Sequence, residues 1–254
     1  MLKIINWDCL KEMNKLIEDW VQVDSLICDP PFNLVEKSWG SIHLFRQSAQ
    51  DWTDTVTEES MSFDTWFNQT LWIKKACKLL KPWGTVIIFN DWENMGEISK
   101  ELKDNKINVK SLNFWQKTNP MPCEWKRRFV SGREYFVFGT KKWRTHTFNV
   151  EAVHKGIFEM WLTKMSEKKH GKHANQKPLQ LMRDIIEIVT NPWDTILDPF
   201  LWSWSTAVAA VQTDRSCIGI ELDTTYYDLS KVRVNDAITS IQETTQVWEQ
   251  SGRI

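Results

Sequence analysis

Apolar residues follow two different spacings along this chain, and the switches between them mark out its elements. Leu10, Met13, Leu16 and Ile17 recur at helical steps and predict a helix over Cys9–Glu18. Short apolar runs bounded by polar or proline-bearing turns predict buried strands at Leu2–Asn6, Val23–Cys28 and 85–90, with further strands at 109–117, 133–139, 195–197 and 217–220. Amphipathic stretches predict helices at 63–80, stopped by Lys81-Pro82, and at 91–102, 178–189, 206–211 and 226–241, with a short helix near 156–165. Residues 34–60 are polar and without period, and read as a loop that orders on a bound partner. Strands alternating with helices argue for an open, mostly parallel α/β sheet with helices on both faces.

The strand at Val23–Cys28 delivers Asp29-Pro30-Pro31-Phe32-Asn33. A carboxylate and a proline carbonyl side by side can each accept a hydrogen bond from an exocyclic amine, which turns the nitrogen lone pair out of conjugation. Proline fixes φ and keeps those acceptors aimed, and Phe32 offers a face for a base swung out of its stack. Asp-Pro-Pro by itself recurs by chance in roughly one chain in thirty of this length, given proline near 5% of residues. A second motif is therefore needed.

That motif lies downstream. Asp194-Thr195-Ile196-Leu197-Asp198-Pro199-Phe200-Leu201-Trp202-Ser203-Trp204-Ser205 is strand, loop and helix start, and Ile218-Gly219-Ile220-Glu221 is a strand ending on an acid 23 residues after Asp198. Nucleotide-binding α/β folds place such an acid on ribose hydroxyls. With His173-Ala174-Asn175-Gln176-Lys177-Pro178-Leu179 ahead of the second motif, nearly the whole chain resembles the DNA amino-methyltransferases that use S-adenosylmethionine. The motif order is that of their circularly permuted beta class. The resemblance implies a Rossmann-like methyltransferase fold occupying 1–254, with a small target-recognition insertion at about 118–172. It implies a catalytic group of Asp29, Pro30, Pro31 and Phe32. Asn33, Lys177, Asp198, Phe200, Ser203, Ser205 and Glu221 are its cofactor-binding residues. The reaction implied is methylation of the adenine N6 amine, with the cytosine N4 amine as the alternative; an initial Asp in the motif leans toward adenine.

The chain departs from the family where glycine is needed. Trp202 and Trp204 stand in the cofactor loop, where the backbone must turn with positive φ and approach a ligand. Trp83 and Trp193 occupy the third position of Pro-led turns, a glycine site in type II turns. Trp7, Trp20, Trp39, Trp52 and Trp143 also sit in polar turn contexts. The chain has 16 Trp and 9 Gly, whereas average glycine usage of about 7% would give roughly 18. Reading these nine tryptophans as glycine restores ordinary usage, as expected if a UGA codon meaning glycine had been translated as tryptophan. If the indoles are genuine, the chain is instead a cofactor-blocked DNA-binding pseudoenzyme.

Charge locates the partner surface. The net charge of −1 hides a basic middle: residues 100–175 hold seventeen Lys and Arg against seven Asp and Glu. Such an insertion suits a polyanion, here double-stranded DNA. Lys126, Arg127, Arg128 and Arg133 are the candidates for holding phosphates or reading guanine edges. The five cysteines are widely spaced without Cys-x-x-Cys, and the five histidines form no ligand set, so neither a metal site nor a disulfide framework is expected. With no apolar run long enough to span a bilayer, a cytoplasmic, membrane-free monomer or homodimer is expected. A cognate restriction endonuclease is a further expected partner.

Overall fold

The computed structural model describes residues 2–31, 69–117, 132–142, 146–149, 151, 161–163, 177–202 and 204–250. Strand β1 (Leu2–Asn6) leads into helix α1 (Cys9–Glu18) and strand β2 (Val23–Cys28). Asp8 caps α1, its carboxylate accepting from the Lys11 N–H at 2.9 Å. After the undescribed 32–68 come α2 (Gln69–Leu79), β3 (Leu80–Asn90), α3 (Met95–Asp104), β4 (Asn108–Lys117), β5 (Arg133–Thr140) and β6 (Trp161–Thr163). The chain continues through α4 (Leu179–Val189), β7 (Thr195–Asp198), α5 (Ser205–Gln212), β8 (Ser216–Glu221) and α6 (Thr224–Gln250).

Among the described residues the strands form one sheet in the order β1-β8-β7-β2-β3-β5-β4-β6. All run parallel except β5, which is antiparallel to both β3 and β4. Helices cover both faces, as expected. One core joins α1, α2 and α3 through Met13, Leu16, Trp72, Ile73, Ile98 and Leu102. The other joins α4, α5 and α6 through Leu181, Ile185, Ala207, Ala210, Val234 and Ala237.

Strand β2 is buried along its whole length, polar residues included. Asp24 is tied to Lys81 at 2.7 Å and accepts the Thr195 N–H at 2.9 Å, so its charge is paired rather than stranded. The Ser25 and Thr85 hydroxyls meet at 2.8 Å across β2 and β3.

The expected elements form, with instructive differences. Helix α6 runs to Gln250, and β3 begins at Leu80 because residues 81–84 bulge between the pairs Val23–Leu80 and Ser25–Thr85. Residues 161–163 do not form the expected helix. They pair with β4 as strand β6, so ladder hydrogen bonds outweigh a weak local helical pattern. The loop at 34–60, residues 63–68 of the expected helix at 63–80, and residues 156–160 and 164–165 lie outside the described residues.

This topology sets the site. Connections from β7 lead outward to β8 on one side, and those from β2 lead outward to β3 on the other. The carboxyl ends of β2 and β7 are neighbours, joined by the pairs Ser25–Ile196 and Leu26–Leu197. A crevice opens at such a switch point, where ligands bind in open α/β sheets.

Candidate active site

Asp29 follows β2 directly, at the end of the sheet that also carries Asp198 at the end of β7 and Glu221 at the end of β8. The Lys177 ammonium, in a side chain only 5% exposed, pairs with Asp29 Oδ2. It also lies 3.2 Å from Glu134 Oε2 and over the Phe89 ring, 5.2 Å from its centroid. Asp29 Oδ1 is buried and has no hydrogen-bond partner among the described residues. A buried acceptor without a donor costs about 1–3 kcal/mol, so this oxygen is a ready position for a donor from outside the chain.

Burial pushes the Asp29 carboxyl up from its ordinary range, against the pull of the Lys177 ammonium. Burial also opposes the charge on Lys177, but Asp29 and Glu134 together hold its pKa above the usual lysine range. Glu134 is depressed despite its burial, because Lys177 and Lys117 both face it.

A pocket that the Asp29 segment reaches through Pro31 is lined by Trp7, Cys9, Pro31, Phe200, Trp202, Glu221 and Tyr226 among others, with a volume of about 140 Å³. Phe200 meets Trp72 edge-on at 5.0 Å. Its N–H donates to Asp198 Oδ1 at 3.0 Å, which turns the chain out of β7. The turn then lies across β8: Leu201 N–H donates to the Ile220 carbonyl at 2.9 Å. A Cβ at Gly219 would stand 2.6 Å from Leu201 Cδ2, so a side chain here would force Leu201 to move.

Burial raises both carboxyl groups of the crevice, Asp198 to about 7 and Glu221 to about 7. The consequence for stability has a definite sign. Both groups bind protons more tightly folded than unfolded, so stability rises as pH falls through 7 toward the ordinary carboxylate range, and the destabilisation is complete above 7. Asp198→Asn with Glu221→Gln should therefore flatten the pH dependence of the thermal midpoint between about pH 4 and 7. A slope identical to that of the parent would refute the assignment.

The expected site residues divide as follows. Asp29, Pro30, Pro31, Lys177, Asp198, Phe200, Ser205 and Glu221 gather around the crevice. Ser205, however, spends its hydroxyl on the Lys177 carbonyl, at 2.9 Å. Arg133 begins β5 at the same edge, its guanidinium 4.3 Å from the Phe114 centroid. Phe32, Asn33, Ser203, Lys126, Arg127 and Arg128 lie outside the described residues. Sequence patterns did not single out Glu134, Lys117 or Tyr226, because none belongs to a motif; each reaches the site through strand pairing or helix packing. Cys28 is fully buried and its thiol is held well above its ordinary range, first by burial, as suits a core residue rather than a nucleophile. No group of His, Cys, Asp and Glu suited to a metal occurs among the described residues, and no helix among them is long and apolar enough to cross a membrane.

Three of the suspect tryptophans adopt the left-handed backbone that favours glycine. Trp193 has φ 72° at the third position of Asn191-Pro192-Trp193-Asp194, closed by the Asp194 N–H to the Asn191 carbonyl at 3.1 Å. Trp20 has φ 54° just after α1, where the Trp20 N–H donates to Ile17 and the Val21 N–H to Leu16, a Schellman ending. Lys106 and Asp214 have the same backbone sign, so this position tolerates other residues in this fold. Trp204 has φ 50° at the start of α5, with no side-chain cap. Its indole is buried beneath Arg233, 3.7 Å from the ring centroid, and its Nε1 has no hydrogen-bond partner among the described residues.

Trp83 and Trp202 differ from expectation. Neither φ is positive, and beside Trp83 the tight spot is its neighbour Gly84, where a Cβ would meet Leu80 Cδ2 at 2.9 Å. Trp39, Trp52 and Trp143 lie outside the described residues. Trp20 and Trp193 are 87% and 80% exposed, whereas Trp72 and Trp115, which arouse no suspicion, are core residues at 0% and 1%. Trp92 breaks this contrast, being unsuspected and 64% exposed.

Set beside known proteins, the chain belongs to the DNA methylase family of N6 and N4 methyltransferases, which matches residues 23–232. It is 31% identical over 244 residues to the Type II methyltransferase M2.MboI of Moraxella bovis, covering 92% of this chain and 87% of that protein. It is 31% identical over 250 residues to the Type II methyltransferase M2.LlaDCHI of Lactococcus lactis subsp. cremoris, covering 93% and 90%. The fold is similar to the crystal structure of the M1.HpyAVI-SAM complex, with a TM-score of 0.71 and 29% identity, covering 92% of this chain and all of the other.

The crevice suits an adenosyl ligand in its donors but not in its space. Glu221 offers a carboxylate to ribose hydroxyls, and Phe200 and Tyr226 offer rings. Yet 140 Å³ falls below the roughly 300–1,000 Å³ of ordinary small-molecule sites. Two of the pocket's walls are the suspect Trp7 and Trp202, the latter stacked on Tyr226 with centroids 6.3 Å apart.

Proposed function

We propose that the chain, with glycine at the suspect positions, transfers a methyl group from S-adenosylmethionine to the N6 amine of adenine in double-stranded DNA, as a circularly permuted beta-class enzyme. The observation that carries this reading is Asp29 itself. One carboxylate oxygen is held by Lys177 and the other has no donor among the described residues, next to the Pro30 carbonyl and the crevice ending at Glu221.

S-adenosylmethionine supplies a methyl group already activated on sulfonium, so the protein's part is positioning and electrostatics. Asp29 Oδ1 and the Pro30 carbonyl accept the two amine hydrogens and aim the nitrogen lone pair. Phe32 stacks on the flipped base. Glu221 holds the ribose, with Asp198, Phe200, Ser203 and Ser205 around the adenosyl group and Asn33 toward the methionine end. Lys177 acts from beneath, on Asp29. Lys126, Arg127, Arg128 and Arg133 hold DNA phosphates, since Arg133 opens β5 at the same edge as Asp29. The permutation is supported by chain order, because the strand carrying Asp29 precedes the one carrying Asp198. The likeness to Type II methyltransferases supports a partner endonuclease.

The product decides between the two amines. Labelled methyl transfer to DNA followed by mass analysis of nucleosides should yield N6-methyladenine. N4-methylcytosine in its place would overturn the adenine assignment while leaving the site intact.

A second reading is favoured by one observation, the narrow pocket between Trp7 and Trp202. If the codons at 202 and 204 are UGG, the chain is a DNA-binding pseudoenzyme. If they are UGA, the tryptophans are glycines misread, and the enzyme reading holds.

A further inference from the structure

Four charges form a chain that ends at Asp29, with Lys177 buried and Lys117, Glu134 and Asp29 partly buried. Lys117 ends β4 and pairs with Glu134 Oε1. Glu134, the second residue of β5, approaches Lys177 through Oε2 at 3.2 Å, and Lys177 pairs with Asp29 Oδ2. With all four ionised the set is neutral, which is the condition for keeping an ammonium as buried as Lys177. The geometry gives Glu134 a specific task. An ammonium with a single carboxylate partner is free to straddle both of its oxygens. A second carboxylate on the far side draws Nζ toward one edge and confines it to Oδ2 of Asp29. Oδ1 is thereby left for another donor. Lys177 is anchored at its backbone as well, by the Ser205 hydroxyl.

We propose that Glu134 is a positioning residue for Asp29, acting through Lys177 to hold the ammonium on Oδ2 and leave Oδ1 for the target amine. This rests on the reading of Asp29 as the amine acceptor. Lys117 directly precedes residues 118–131 and Glu134 follows three residues after them, so the link begins beside the basic segment and ends at the reacting group.

The groups bearing on Asp29 are Lys177, Glu134 on β5, Lys117 on β4, Asp198 on β7 and Cys28 on its own strand. Glu134 raises the Asp29 carboxyl and Lys177 lowers it. The test is a carbon-13 carboxyl titration of Asp29 by NMR in the full-length chain, with Asp29→Asn to assign the signal. Glu134→Gln keeps an acceptor for Lys177 but drops a negative charge, so the Asp29 midpoint should move to lower pH. Lys177→Gln should move it to higher pH. General loosening of the fold would not drive the two variants in opposite directions. Midpoints that stay put, or move together, would overturn the proposal.

In the chain with glycine at the nine positions, the acid limb of the single-turnover methylation rate should shift the same way in Glu134→Gln. Glu134→Leu, which removes the acceptor too, should cut that rate on the order of a hundredfold with cofactor affinity unchanged. A Glu134→Leu rate equal to the parent's would overturn the positioning role. Opposite titration shifts without methylation by the glycine-bearing parent would instead sink the reading of Asp29, leaving only the ionic link.

Discussion

Restoring glycine at Trp7, Trp20, Trp39, Trp52, Trp83, Trp143, Trp193, Trp202 and Trp204 is expected to turn a chain that does not load S-adenosylmethionine into one that binds it on the order of 10 µM and methylates DNA. Two effects add. Trp20, Trp193 and Trp204 hold left-handed backbone, at a cost of about 1–3 kcal/mol for each residue so held. Against a total stability of about 5–15 kcal/mol, three such residues weigh heavily. The buried Nε1 of Trp204 adds a lost hydrogen bond. Separately, withdrawing the Trp7 and Trp202 indoles widens the 140 Å³ pocket. The Trp83 substitution should contribute less than those at Trp20, Trp193 and Trp204, since its backbone is not left-handed. Calorimetry with S-adenosylmethionine and thermal unfolding check both parts. Micromolar binding by the chain with every tryptophan in place would refute the expectation, as would UGG codons at 202 and 204.

On that glycine background, Asp29→Ala should reduce methyl transfer by on the order of a thousandfold while leaving cofactor affinity largely unchanged. The carboxylate acts on the amine, not on the sulfonium. Alanine also leaves Lys177 facing Glu134 alone, so Asp29→Asn, which keeps the shape, should be measured beside it. Both should be inactive in single-turnover assays yet retain the cofactor. Substantial turnover by either would show that the amine finds its acceptor elsewhere.

How much could be read in advance depended on the reach of each interaction. Helix α1 and strand β2 form at the expected residues, because a period of apolar residues is a local property. The turn at Trp193 was legible only in part, since proline at the second position suits type I and type II turns alike; Trp193 takes the left-handed backbone and Trp83, in the same pattern, does not. Strand β6 was not. Its three residues carry too little pattern, and only their pairing with β4 settles their state. Glu134 was invisible for a related reason, being an ordinary strand residue until folding brings it to Lys177.

Lys177 shows the division most clearly. Its place in a motif suggested support for a cofactor, but it lies 148 residues from Asp29 in sequence and pairs with it in space. By itself the sequence determined the α/β class, the acids at the ends of β2, β7 and β8, and the positions where glycine is missing. Those depend on spacing, turn chemistry and residue type, all carried by neighbouring residues. Only the tertiary structure decided which of those acids share a cation, which carboxylate oxygen is left open, and how narrow the pocket is. Burial, charge pairing and free volume arise from segments far apart in the chain, and they acquire values only when the sheet brings those segments to one edge.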